Sequence, residues 1–171
     1  MRQALEWGAV VIGALLAALL IKTFLFQAFS IPSASMTDAL GVGDRVLVNK
    51  VSYRFGELDR GDIIVFHKPA NAGPSETEEF IKRVIGLPGE QLELIDGVIH
   101  IDGRPLEEPY LRRGTVTREL APQTVPDGYV FVMGDNRVIS RDSRSFGPIP
   151  IDDIVGEAFL RLWPLGDFGG L

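Results

Sequence analysis

From Trp7 to Ile21 the chain carries no charged residue, and after Lys22 the apolar character resumes through Phe24, Leu25, Phe26 and Phe29 before breaking on "SIPSASMTDAL" at 30–40. This run constrains the chain more than any other feature. As a helix, Trp7–Ile21 is about 22 Å long, short of a hydrocarbon core of about 30 Å, whereas continuation through Phe29 brings it to about 35 Å. Lys22 is then the one charge inside, with a stem long enough to carry its ammonium to an interface. Trp7 at one end and Phe24, Phe26 and Phe29 at the other suit interfacial anchoring. The expectation is a membrane anchor over 1–29, in contact with the lipid bilayer. The competing reading is a secretory signal segment cut away by another enzyme, because small residues follow the run. Its aromatic continuation past Lys22 does not fit a segment that stops at its own cleavage site. Ser30, Ser33 and Ser35 are thus either part of something cut or nucleophiles held at a membrane surface.

The 171 residues allow one ordinary domain behind such an anchor, and the roughly 140 that remain suffice for a single core. The net charge is −6, and only Arg2, Glu6 and Lys22 are charged before residue 30, so the acidity belongs to the domain that follows. An acidic domain without a basic run lacks the phosphate-neutralising surface of a nucleic-acid binder, and no nucleic-acid partner is expected. The absence of cysteine excludes thiol catalysis, disulfides and thiolate metal sites, without fixing the compartment. Only His67 and His100 are present, neither in a spaced ligand motif, so no metal and no other cofactor is expected. Charge alone orients the anchor poorly. Arg2 flanks one side and Lys22, Arg45 and Lys50 the other, which would leave the C-terminal domain inside, but large domains translocate despite such charges.

Beyond residue 40 the chain reads as short strands punctuated by glycine: 44–51, 62–66, 79–86, 127–135 and 154–163, with a hairpin over 90–103 turning at Asp96-Gly97. No helical period appears there. The expected fold is mainly β, an antiparallel catalytic domain over 30–171 behind one N-terminal helix. Two longer loops are expected, 67–79 and a Pro- and Arg-rich stretch around 104–126 that forms a small insertion.

A serine hydroxyl needs a base to take its proton. His67 and His100 have no spacing that recommends them, which leaves a lysine made neutral by its surroundings. In "EFIKRVIG" strand alternation puts Phe80, Lys82 and Val84 on one face and Ile81, Arg83 and Ile85 on the other. A lysine between Phe and Val can lose water. By this pattern alone a lysine snorkelling at a sheet edge fits better.

The motifs "IPSASM", "FIKRVIGLPGE" and "MGDNRVISRDSRSFGPIP", with "RGDIIVF" and "LRLWPLG", resemble in content and order the motif set of type I signal peptidases, the bacterial leader peptidases. The resemblance covers about 27–166. It implies a membrane-anchored serine endopeptidase with a Ser–Lys dyad that removes signal peptides from exported preproteins, its catalytic domain on the extracytoplasmic face of the bacterial cytoplasmic membrane. By resemblance Ser35 matches the nucleophile, Lys82 the general base, and Ser33 the hydroxyl that joins the Ser35 N–H in an oxyanion hole. Ser140 matches a serine that orients the lysine, Asp142 and Arg144 a bracing ion pair, and Gly134, Asp135, Asn136 and Arg137 a shaping turn. Phe29, Ile31, Met36, Leu40, Phe80 and Ile81 match the walls of shallow pockets for the small residues before the cut, with substrate added as an extended strand.

Two departures stand out. Thr37-Asp38-Ala39 replaces the usual x-Pro-Thr after Met36, and Val138-Ile139 replaces the usual Asp-Asn before Ser140. Two rivals are a self-cleaving repressor-type Ser–Lys peptidase, which would carry a DNA-binding module, and an inactive anchored β domain that binds exported chains.

Overall fold

The computed structural model describes residues 6–8, 10–15, 25–75 and 77–171. Residues 6–8 and 10–15 are helical, and among the described residues no helix is long and apolar enough to cross a membrane. The rest of the run expected to form the anchor, 1–5, 9 and 16–24, lies outside the described residues. One part of that expectation is corrected. Residues 26–29, assigned above to the end of a crossing helix, belong to a strand, β1 (Phe26–Ser30). It pairs antiparallel with β2 (Arg45–Asn49) from Phe26↔Asn49 to Ser30↔Arg45. The backbone groups of "FQAFS" find partners in a neighbouring strand, and Phe26 and Phe29, two of the aromatic residues that suggested a lipid interface, belong to the sheet.

The longer strands that follow fall in the expected segments, while the two-residue strands at 104–105, 123–124, 149–150 and 169–170 were not expected. They are β3 (Ile63–His67), β4 (Glu79–Gly86), β5 (Gln91–Ile95), β6 (Val98–Ile101), β7 (Arg104–Pro105), β8 (Gln123–Thr124), β9 (Tyr129–Met133), β10 (Ile149–Pro150), β11 (Ile154–Trp163) and β12 (Gly169–Gly170). All pairings are antiparallel. The main sheet runs β1-β2-β11-β3-β4-β9-β10 with β12 against β11, and a smaller sheet runs β7-β6-β5-β8. The hairpin turn at Asp96-Gly97 has both residues at positive φ, 52° and 80°, as a two-residue turn requires. Two short helices interrupt the sheets, α1 (Ser52–Phe55) and α2 (Ser143–Phe146).

Strand β3 shows why the main sheet is stable. Its "IIVF" is buried throughout, so the sheet is covered on both faces and apolar residues need not alternate with polar ones. Ile63 and Val65 pack on one face with Val46, Val48, Ile81, Met36 and Leu40. Ile64 and Phe66 pack on the other with Val84, Val130, Val132 and Phe146. A third cluster, with Ile85, Leu92, Ile99, Phe131 and Met133 at its centre, joins the two sheets. The stretch around 104–126 is more than a loop on the core. It supplies β7 and β8, and Leu106, Tyr110, Leu120 and Val125 pack into the third cluster.

Candidate active site

After β1 the chain turns through "IPSASM", and Ala34–Met36 forms one 3-10 turn closed by Thr37 N–H donating to Ala34 O at 3.1 Å. Met36 and Leu40 anchor it, fully enclosed in the apolar cluster on that face. Consecutive residues of so tight a turn point apart, and with Met36 held inward Ser35 faces a cleft with 8% of its surface exposed. Met36 and Leu40, expected as pocket walls, support the turn from beneath.

Strand β4 brings Lys82 to the same point. Its Nζ lies 2.9 Å from Ser35 Oγ and donates to its neighbour's carbonyl, Ile81 O, at 2.7 Å. The Phe80 ring centroid is 5.5 Å from Nζ. The side chain is 4% exposed, and burial pushes its ammonium down to about 8, against the opposing pull of the Asp142 and Asp135 carboxylates. The snorkelling alternative fails on this burial: the amine points inward, at a serine. Ser33 Oγ donates to Ser35 Oγ at 3.3 Å, so the two hydroxyls and the amine form one group.

The "GDNR" and "DSR" motifs hold this group from behind. Asn136 N–H donates to Ser35 O at 3.1 Å and Asn136 Nδ2 to Ala34 O at 3.2 Å, fixing the backbone of the serine turn. A Cβ on Gly134 would fall onto Ser35 O and the Ser140 side chain, so the two loops touch only because this residue has none. Asp142, fully buried, caps α2 by accepting from Arg144 N–H, accepts from Gly134 N–H at 3.1 Å, and takes a fork from Arg144 Nε and Nη2 at 2.8 and 2.9 Å.

Ser140, expected to orient the lysine, has its hydroxyl buried beside Gly134 with no hydrogen-bond partner among the described residues. The amine already has Ser35 Oγ and Ile81 O.

A cleft of about 410 Å³ opens in front of the serine and lysine. Of the expected wall residues, Phe29, Ile31, Phe80 and Ile81 line it. His67 and His100 lie elsewhere, His67 on a separate hollow with Tyr53 and Asp152, and His100 on the smaller sheet.

Four supporting residues carried no role in the motif reading. Arg83 forks onto Asp135 at 2.9 and 2.6 Å and stacks over Tyr110, its guanidinium carbon 4.0 Å from the ring centroid. Tyr110 donates to Glu108, which pairs with Arg137, and Arg137 also donates to Thr117 Oγ1 at 2.7 Å and to Gly134 O at 3.1 Å. Burial and the Glu108 carboxylate push the Tyr110 phenol up. The signal for this network was Arg83: a guanidinium on a strand buried on both faces must find a buried carboxylate.

A family model described as signal peptidase, peptidase S26, matches residues 4–163. The signal peptidase I of Leptolyngbya laminosa is 46% identical over 158 residues, covering 90% of this chain and 77% of the relative. Signal peptidase I T of Bacillus subtilis (strain 168) is 38% identical, covering 95% and 87%. The crystal structure of a signal peptidase I from Enterococcus faecalis V583 superposes with a TM-score of 0.50 at 33% identity, over 59% of this chain and 96% of that one. Matching extent, ordered motifs and a serine against a buried lysine lead to one conclusion: the chain belongs to the signal peptidase I family of serine endopeptidases, the S26 peptidases.

Proposed function

We propose that the chain removes N-terminal signal peptides from exported preproteins, cutting after small residues, with Ser35 as nucleophile and Lys82 as general base. The observation that carries this is the 2.9 Å contact between Ser35 Oγ and a lysine whose pKa burial lowers to about 8. The neutral amine takes the Ser35 proton as Oγ attacks the scissile carbonyl. Ser33 Oγ and the Ser35 N–H receive the developing oxyanion. Collapse breaks the C–N bond, and the ammonium returns its proton to the departing amine, leaving a Ser35 ester. Water, deprotonated by the same amine, then hydrolyses the ester.

Binding follows from the sheet. β3 pairs with β4 along Glu79–Arg83 on one side, while β9 joins the other side only from Arg83 onward. Glu79–Lys82 therefore offer a free edge at the cleft, to which an extended substrate adds as a strand. In this reading the small side chains before the cut lie against Phe29, Ile31, Val65 and Ile81, which line the cleft. In this reading the segment before residue 26 is a single-pass anchor and the catalytic domain faces outward from the bacterial cytoplasmic membrane. Exposed Trp163, Leu165 and Phe168 suit a domain that lies against lipid.

The test uses full-length protein in detergent with a preprotein whose cut site is mapped by mass spectrometry. Cleavage after a small residue is expected, lost in folded Ser35→Ala. Activity persisting in that variant overturns the reading.

A further inference from the structure

The same cleft carries a specificity determinant of this chain's own, and the argument rests on the peptidase reading above. A strand laid along the free edge of β4 sends its side chains alternately to the two faces of the sheet. One face at the cleft is walled by Ile81 and Val65, which pack with Ile31 and Phe29. This is the face that selects small residues at the first and third positions before the cut. The second position must then point to the opposite face, where Phe80 packs beside Phe66, Phe146 and Ala72.

On that face the cleft is bounded by the loop between β9 and α2. Arg141 Nη1 donates to Ala72 O at 2.6 Å, which ties this loop to the segment packed behind Phe80. The guanidinium lines the cleft and has no carboxylate within ion-pair distance among the described residues. Ile139, two residues earlier, lines the same cleft and is 60% exposed, an apolar surface with nothing packed over most of it. Among the described residues, the one carboxylate that lines the cleft, Glu79, shares a strand face with Ile81, on the other side of the edge.

We propose that Ile139 and Arg141 form the subsite for the second residue before the scissile bond, and that it favours glutamate, whose methylenes lie on Ile139 and whose carboxylate meets Arg141. Ile139 stands where the usual Asp-Asn pair has its Asn, so this chain offers an apolar ledge in place of an amide.

The experiment measures kcat/KM of the full-length protein in detergent at low ionic strength, on one signal-peptide substrate with Glu, Gln or Ala at the second position before the cut. The Glu:Gln ratio is read within each enzyme, so a general loss of activity cancels. Wild type is expected to prefer Glu by about three-fold, carried by KM, as for a solvent-accessible ion pair formed equally in ground and transition states. Arg141→Gln is expected to bring the ratio to one, and Arg141→Lys to keep it above one. Ile139→Asn is expected to lower the rates on Glu and Gln relative to Ala. A wild-type ratio of one, or a ratio unchanged in Arg141→Gln, overturns the subsite. Failure to cleave any of the three substrates would instead strike the peptidase reading itself.

Discussion

Lys82 is where the chemistry of one residue is most exposed to measurement. Its folded value of about 8 lies below the reference of about 10.4, and burial is the main cause. The acid limb of kcat/KM is therefore expected to rise through about pH 8, since the free enzyme needs the neutral amine. The same shift acts on stability. Between about pH 8 and 10.4 the unfolded chain binds a proton that the folded chain lacks, so stability rises with pH across this window. Below about pH 8 both states are protonated and the full penalty of the buried cation applies, on the order of 3 kcal/mol. Lys82→Met keeps the apolar stem, so it is expected to be inactive, more stable than wild type near neutral pH, and without that slope. Denaturant unfolding of both proteins from pH 7 to 10.5 checks this; parallel curves would mean a solvated lysine and remove the base from the mechanism.

At the scale of elements, the site depends on two turns that press together rather than on a helix or strand alone. The 3-10 turn that carries Ser35 holds its position through Asn136, and the "GDNR" turn holds its own through Asp142 at the head of α2. Gly134 is the point of contact. Gly134→Ala places a methyl against Ser35 O and the Ser140 side chain, and neither turn can yield without moving the nucleophile. The expected result is a fall in kcat of about 10²-fold, the scale of a 1 Å misplacement. The accompanying loss of stability is about 1–3 kcal/mol, as for an overpacked core. Single-turnover cleavage and thermal unfolding of the same sample separate the two effects.

Across the whole molecule, the smaller sheet is coupled to the site by buried charge. Arg137 has a fully buried side chain, and its ion pair with Glu108 crosses from the "GDNR" turn to the segment between β7 and β8. Removing one partner leaves an uncompensated buried cation. Glu108→Ala is therefore expected to destabilise the fold by about 3–5 kcal/mol. Arg137→Met with Glu108→Leu, which removes both charges, is expected to recover much of that loss. Chemical denaturation of the single and double variants measures the coupling; a Glu108→Ala protein as stable as wild type would mean that water already reaches Arg137.

The sequence alone determined five strands of the main sheet, β2, β3, β4, β9 and β11, because their apolar residues run in alternating or continuous blocks bounded by glycine and proline. It determined the hairpin at Asp96-Gly97 for the same local reason. It also singled out Ser35 and Lys82, through ordered motifs whose spacing lies along the chain. The end of the apolar run was not legible. "FQAFS" is as apolar as a helix end, and only pairing with Arg45–Asn49, distant in sequence, makes it a strand. Nor could alternation tell that Met36 and Leu40 turn into the core rather than the cleft, since the tight turn around Ser35 sets their direction. The network of Arg83, Asp135, Tyr110, Glu108 and Arg137 lay beyond local reading as well. Its members come from three separate stretches of chain, and burial brings them together because a buried charge without a partner is too costly to keep.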